Sequence, residues 1–304
     1  MSAAKPTEFE LYYRAGEHEY RYALSVHADE IVSEGLWRRK LGASRTAMLF
    51  EREGTGVELG PTLRKLVTAA RFNPSLPYLS FLCINFDAPV IKEAASWFLD
   101  GVFLNYNSSY LEQMLEQLLD EDDSPEITRF LRAVDVRIDG FRVEKAPEWR
   151  GQRVFVKHEV DGKGYELRLS EESAGTQKLM GLAAFLLAAL ERGGTVVVDE
   201  LDAKLHPKLL RYVILLFKDP EVNKSGAQLI FSSQDVSTMR NDVFRRDEIW
   251  FAARGEGEAS QLWSLADIHE SNGNLVSKNA AFDKQYLSGR YGADPYLTRI
   301  EEWD

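Results

Sequence analysis

The run Thr195-Val196-Val197-Val198 is followed at once by two carboxylates, Asp199 and Glu200, inside the stretch GGTVVVDELDAKLHP at 193–207. Consecutive β-branched apolar residues fit a strand buried on both faces, and such strands belong to parallel sheets covered by helices. Adjacent acids at the carboxyl end of a buried strand are costly unless they face a cleft, a metal ion or a partner. This feature predicts an α/β arrangement with a polar site where the strand ends.

The pattern around it supports that prediction. Residues 176–192 read as a helix, 195–200 as a strand, 206–217 as a helix, and 227–233 and 248–253 as strands. Strands separated by helices of that length imply right-handed crossovers in a largely parallel sheet. Earlier in the chain the periodicity differs. From Glu8 to Glu53 apolar and polar residues alternate, with Ala15-Gly16-Glu17 and Gly54–Gly56 at turns, which predicts antiparallel hairpins. From Pro61 to Ala133 apolar residues recur three and four apart, as in APVIKEAASWFLDGVF and SYLEQMLEQLLDEDDSPEITRFLRAV, which predicts helices with Phe98, Phe103, Tyr110 and Met114 in a core. Strands return from Val134 to Leu169, and the polar tail from Ser271 to Asp304 reads as irregular. The expected organisation is an antiparallel β region at 1–60, a helical subdomain at 61–133, a β return with an α/β lobe at 134–270, and a tail at 271–304.

Composition narrows the class. The chain has 304 residues, 44% hydrophobic and 28% charged, ordinary for a globular protein. Its one cysteine, Cys83, excludes an internal disulfide and a cysteine-based zinc site. The longest apolar run, Leu179 to Leu190, is too short for a membrane span, and MSAAKPTEFE lacks the form of a secretory signal. A soluble, cytoplasmic chain without a membrane partner is expected. The net charge of −11 gives nucleic acid no general attraction, and the clusters Trp37-Arg38-Arg39-Lys40 and Arg245-Arg246 are short. The run Asp120–Asp123 reads as a solvated loop.

Three segments fall at loops beside strands. In LSEESAGTQKL (169–179), small residues lead into a helix, so its first N–H groups are open to an anion, or are simply capped by Ser173. In the opening stretch, Asp199 and Glu200 could hold a divalent cation and polarise water, or one of them could cap the following turn. In LIFSSQD (229–235), a buried strand ends in small polar residues.

In succession, SEESAGTQKL, TVVVDELDAKLHP and LIFSSQD resemble the carboxyl-terminal half of ABC-type ATPases, in the branch called AAA family ATP-binding proteins. That branch is related to chromosome-maintenance ATPases and to those of abortive-infection and overcoming-lysogenization-defect phage-defence systems. The resemblance covers roughly residues 8 to 295 and includes FRRDEIWF at 244–251 and YLSGRYGADP at 286–295. It implies a P-loop ATPase core with a largely parallel sheet, plus an antiparallel β and helical insertion, and it implies ATP and Mg2+ as cofactors. Ser173, Gly175 and Thr176 match the signature motif, which contacts the γ-phosphate held by the other subunit of a dimer. Asp199 and Glu200 match the Walker B pair, as metal ligand and catalytic carboxylate. Leu205 and His206 match the partner-facing D-loop, and Gln234 stands where the family usually has a switch histidine. Gln234 can hydrogen-bond a phosphate oxygen or water but carries no proton charge.

No segment matches G-x-x-x-x-G-K-[ST]. Family members place a strand, a phosphate loop and its helix before the region that here starts at Pro6, so the chain looks like a member lacking its front. Two functions follow as expectations. One is ATP binding and hydrolysis at a composite site in a homodimer or hetero-oligomer, coupled to an effector protein, in phage defence or DNA maintenance. The other is a degenerate interaction subunit, or a fragment, that does not bind nucleotide alone. A nuclease is disfavoured, because the acids after Ala266 (Asp267, Glu270, Asp283, Asp294) read as solvated.

Overall fold

The computed structural model describes residues 5–68, 71–105, 125–134, 136–145, 152–254, 260–270 and 273–293. The chain divides into two compact units, Met1–Val102 and Phe103–Asp304.

In the first unit, the alternating sequence folds as five antiparallel strands in chain order: β1 (Thr7–Ala15), β2 (His18–His27), β3 (Glu30–Lys40), β4 (Thr46–Glu53) and β5 (Gly56–Leu59). Their short turns allow only antiparallel neighbours. The alternate residues Tyr13, Tyr20, Tyr22, Leu36 and Phe50 form the core with Leu82 of helix α1 (Tyr78–Asn85) and Ile91 and Ala94 of α2 (Pro89–Asp100). Gly101 ends α2 in an extended conformation.

Glu34 lies on this core face, two residues from Leu36. Its carboxylate accepts bonds from the Tyr22 hydroxyl (3.0 Å), the Tyr78 N–H (2.5 Å) and the Leu79 N–H (3.0 Å), and pairs with Arg52 Nη1 at 3.4 Å. Neither side chain of the pair touches solvent. Arg52 also donates to the carbonyls of Gly54 (2.7 Å), Leu76 (2.7 Å) and Pro74. The acid therefore satisfies the first N–H groups of α1, and the arginine fastens the segment leading into it.

The second unit contains most of β6 (Val102–Asn105), α3 (Pro125–Ala133), an antiparallel sheet of β7 (Gly140–Lys145), β8 (Gln152–Val160) and β9 (Lys163–Arg168), then α4 (Ala174–Arg192), β10 (Thr195–Asp199), α5 (Pro207–Lys218) and β11 (Gln228–Phe231). β11, β10 and β6 form one sheet in that order, with β10 and β11 parallel and Val198 opposite Phe231. Helix α4 is apolar on most sides, as a fully buried helix must be. Leu179, Met180, Leu182, Ala183 and Leu186 are buried, α3 and β10 pack on α4, and α5 packs on β11. Gly193 ends α4 with φ +83°, and a Cβ there would stand 2.4 Å from the Ser225 carbonyl oxygen. Only glycine fits this stop.

Several expectations change, among them Phe103, placed in a core by its spacing but 58% exposed. Val102–Asn105, read with the preceding helix, is a strand beside β10, because Gly101 breaks the helix before a β-prone VFLN. The strand at 250–254 does not join the parallel sheet: β12 (Trp250–Arg254) pairs antiparallel with β13 (Ser260–Ser264) in a separate hairpin. A return of five residues is too short for a parallel crossover. Among the described residues β10 and β11 form a parallel ladder, while the sheets of β1–β5, β7–β9 and β12–β13 are antiparallel, so the sheets taken together are mixed. The tail also contains a helix, α6 (Phe282–Leu287), where Phe282 is buried and Tyr286 stacks on Phe251 at 5.7 Å. The helical pattern at 109–123 and the acid Asp294 lie outside the described residues. No described helix is long and apolar enough to cross a membrane.

Candidate functional site

β10 and β11 run side by side and end together, which brings their following residues into contact. The Ser232 N–H donates to the Val198 carbonyl (3.0 Å), and the Leu201 N–H donates to the Ser232 carbonyl (3.0 Å). The Ser232 hydroxyl donates to Asp199 Oδ1 (2.5 Å) and accepts from the Glu200 N–H (2.8 Å). One small side chain just after β11 thereby orients the Asp199 carboxylate at the end of β10 and fixes the backbone of Glu200 next to it. Asp199 remains exposed and Glu200 half-buried.

Beyond Glu200 the chain makes a tight loop. Glu200 and Lys204 adopt the left-handed region, with φ 54° and 61°. The Ala203 N–H returns to the Glu200 carbonyl (3.0 Å) and the Leu205 N–H to the Asp202 carbonyl (2.9 Å). Asp202 turns toward β11, where both carboxylate oxygens lie 3.2 Å from the Gln234 N–H. That bond fixes the backbone of Gln234, whose side chain is exposed. The loop runs through half-buried Leu205 into α5, which His206 caps by accepting from the Lys208 N–H (3.1 Å) ahead of Pro207.

Helix α4 begins against the same loop. Ser173 caps it, accepting from the Thr176 N–H at 3.1 Å, with the two hydroxyls 2.9 Å apart. A Cβ added to Gly175 would meet the Lys204 carbonyl oxygen at 3.4 Å, an ordinary contact distance, so helix start and loop lie against each other. His158 Nε2 lies 2.6 Å from Glu172 Oε1 and anchors the segment before Ser173 to β8. One turn into α4, Lys178 is buried, with its ammonium on the carbonyls of Ala203 and Glu200 (3.5 Å to Glu200). Burial pushes the Lys178 ammonium down to about 8; Lys204 adds to the shift, and Asp202 and Glu200 oppose it.

The residues singled out in the sequence thus occupy one region of the second unit. Asp199, Glu200 and Gln234 share the strand ends. Gly175 touches the loop between Glu200 and Leu205, with Ser173 and Thr176 beside it on the first turn of α4. Sequence reasoning missed Ser232, Asp202, Lys178 and His158. A Ser opposite the strand-end acids was visible in LIFSSQD, but nothing local marks the other three.

Oxygen donors such as Asp199 and Glu200 suit magnesium, which takes one or two carboxylates and fills its remaining positions with water and phosphate. No group of three or more His, Cys, Asp or Glu among the described residues could form a complete protein cage. The donor set fits a shell shared with a ligand.

The profile of the AAA domain family described as putative AbiEii toxin, Type IV TA system, matches residues 2–240. The chain belongs to this AAA family. The family agrees with the resemblance carried by the three ordered segments, and it is one of nucleotide-dependent ATPases. No curated protein matches the chain. Among solved structures, an SMC head domain from Thermotoga maritima is 12% identical with a TM-score of 0.37, covering 82% of this chain and 74% of that one. An SmcHead bound to the C-winged helix domain of ScpA is 14% identical with a TM-score of 0.35, covering 82% and 74%.

Proposed function

We propose that this AAA family chain binds ATP with magnesium and takes part in its hydrolysis, as one face of a composite site completed by a second subunit. The observation that carries this reading is the convergence of Asp199, Glu200, Ser232 and Gln234 at the ends of two parallel strands, with the capped start of α4 against the same loop.

Each residue has a role in that reading. Asp199, oriented by Ser232, would hold the magnesium ion, which when bound neutralises phosphate charge. Glu200 would accept the hydrogen bond of the attacking water. Gln234, its backbone held by Asp202, would orient that water or a phosphate oxygen through its amide. Ser173, Gly175 and Thr176 would offer a hydroxyl and helix-start N–H groups to the γ-phosphate held by the partner. Leu205 and His206 would meet the partner subunit. The partner is a second copy or a related subunit, and an effector protein would read the closure. We place the nucleotide lobe at 134–270, with 1–60 as its antiparallel region, and the biological setting in phage defence or DNA maintenance.

A second reading has its own observation. Glutamine at 234 stands where the family usually has a histidine, as a degenerate interaction subunit would show. Calorimetry with magnesium-ATP separates the two, run on the chain alone and with a candidate subunit that owns a phosphate loop. Binding and turnover that need both subunits, with turnover lost in Glu200→Gln and binding retained, support the first reading. Absence of binding in every combination supports the second.

A further inference from the structure

Lys178 sits where a cation is expensive. It lies on a helix otherwise packed with Leu179, Met180 and Leu182, it is only 7% exposed, and it reaches the loop after β10 instead of solvent. Its ammonium donates to the carbonyls of Glu200 and Ala203. Those carbonyls lie inside the segment bounded by the two left-handed residues, Glu200 and Lys204. Non-glycine residues hold that conformation only where their surroundings over-determine it. Ser232 fixes one end of the segment through the Glu200 N–H, and the start of α4 lies against the other, with Gly175 beside the Lys204 carbonyl. Lys178 supplies the grip between them.

We propose that Lys178 is a positioning residue that locks the loop carrying Glu200 to the helix carrying Ser173, Gly175 and Thr176, so that both elements move as one body. The geometry needs no nucleotide. Its consequence for turnover rests on the reading in the previous section: a shift of α4 on meeting the partner's phosphate would be transmitted to the backbone of Glu200 in the same chain. An ammonium suits this task because its three donors serve several carbonyls at once from the end of a flexible stem.

The test is hydrogen exchange by mass spectrometry on the whole chain without nucleotide, comparing the native protein with Lys178→Met and Lys178→Arg. Met keeps the stem and removes the donors; Arg keeps a cation and donors. The Lys178→Met variant is expected to raise exchange in peptides spanning 199–206 about tenfold or more, leaving 179–190 within about threefold of native, and Lys178→Arg to stay near native in both. Three results would overturn the proposal. Unchanged exchange at 199–206 in Lys178→Met shows that the loop does not depend on the contact. A uniform rise in 179–190 and 199–206, or general unfolding, shows Lys178 supporting the core at large. Equal rises in the Met and Arg variants show that packing volume and not donation is at work. Because no nucleotide is present, failure of the ATP reading leaves this result standing, and the reverse also holds.

Discussion

Replacing Arg52 by Met tests how the first unit is held together. Arg52 is fully buried, pairs with Glu34 at 3.4 Å and donates to three carbonyls that fix the approach to α1. Met matches much of the stem but none of the donors. The substitution leaves a buried carboxylate without its cation, a change that costs about 3–5 kcal/mol in other buried pairs. Glu34 keeps the Tyr22 hydroxyl and the N–H groups of Tyr78 and Leu79, so the lower end of that range, about 3 kcal/mol, is expected here. A urea slope of about 1–3 kcal/mol per molar converts this into a midpoint lowered by about 1–3 M. The assay is urea unfolding followed by hydrogen exchange in peptides of β3, β4 and α1, which isolates the first unit. A double variant, Glu34→Gln with Arg52→Met, is expected to recover part of the loss, because the glutamine carbonyl can still accept from the Leu79 N–H and the Tyr22 hydroxyl without burying a charge, although its amide NH2 then faces the Tyr78 N–H. A loss below about 1 kcal/mol, or a double variant equal to the sum of the singles, would refute the account of this pair as a coupled network.

Three other perturbations have defined outcomes. Gly193→Ala should destabilise the second unit by at least about 1–2 kcal/mol, read as a lowered melting temperature, because φ is +83° and the added Cβ meets the Ser225 carbonyl oxygen. Ser173→Ala removes the acceptor for the Thr176 N–H and should cost about 1 kcal/mol, with faster exchange confined to the first turn of α4. Lys178 releases its proton near 8 in the folded chain and near 10.5 in the unfolded one, so between those values the unfolded state holds more protons and stability rises with pH. Below about 8 both states are charged and this residue adds no slope. Unfolding free energies measured across that window should rise less steeply with pH in Lys178→Met than in the native protein, and coincident slopes would contradict the burial of this cation.

What the sequence discloses follows the range of the forces involved. The alternation in FELYYRA and EYRYALSV is a local signal, and it marks the strands β1 and β2 with Tyr13, Tyr20 and Tyr22 facing inward. The TVVV run and its two acids are equally local, as are the cap at Ser173 and the stop at Gly193. Glu34 is different. In DEIVSEGLW nothing separates it from Glu30, because its partners Arg52, Tyr78 and Leu79 lie 18, 44 and 45 positions away. Lys178 and Asp202 are hidden for the same reason, as each acts on a segment that only tertiary folding brings near. The hairpin of β12 and β13 escaped notice because GEGEASQLWS begins with residues that suggest a solvated loop and becomes strand-like only at its end.

On the catalytic role proposed for Glu200, its left-handed backbone sets stability and activity against each other at a single position. Glycine would adopt φ 54° with ease, and asparagine nearly so, whereas glutamate carries a strain of about 1 kcal/mol to stay there. A library randomised at position 200 and sorted only for resistance to heat or protease should therefore enrich glycine and asparagine over the native residue. Sorting the same library for the activity of the assembled protein should return glutamate. Divergence between the two winners would mark this acid as one retained for chemistry at the expense of the fold.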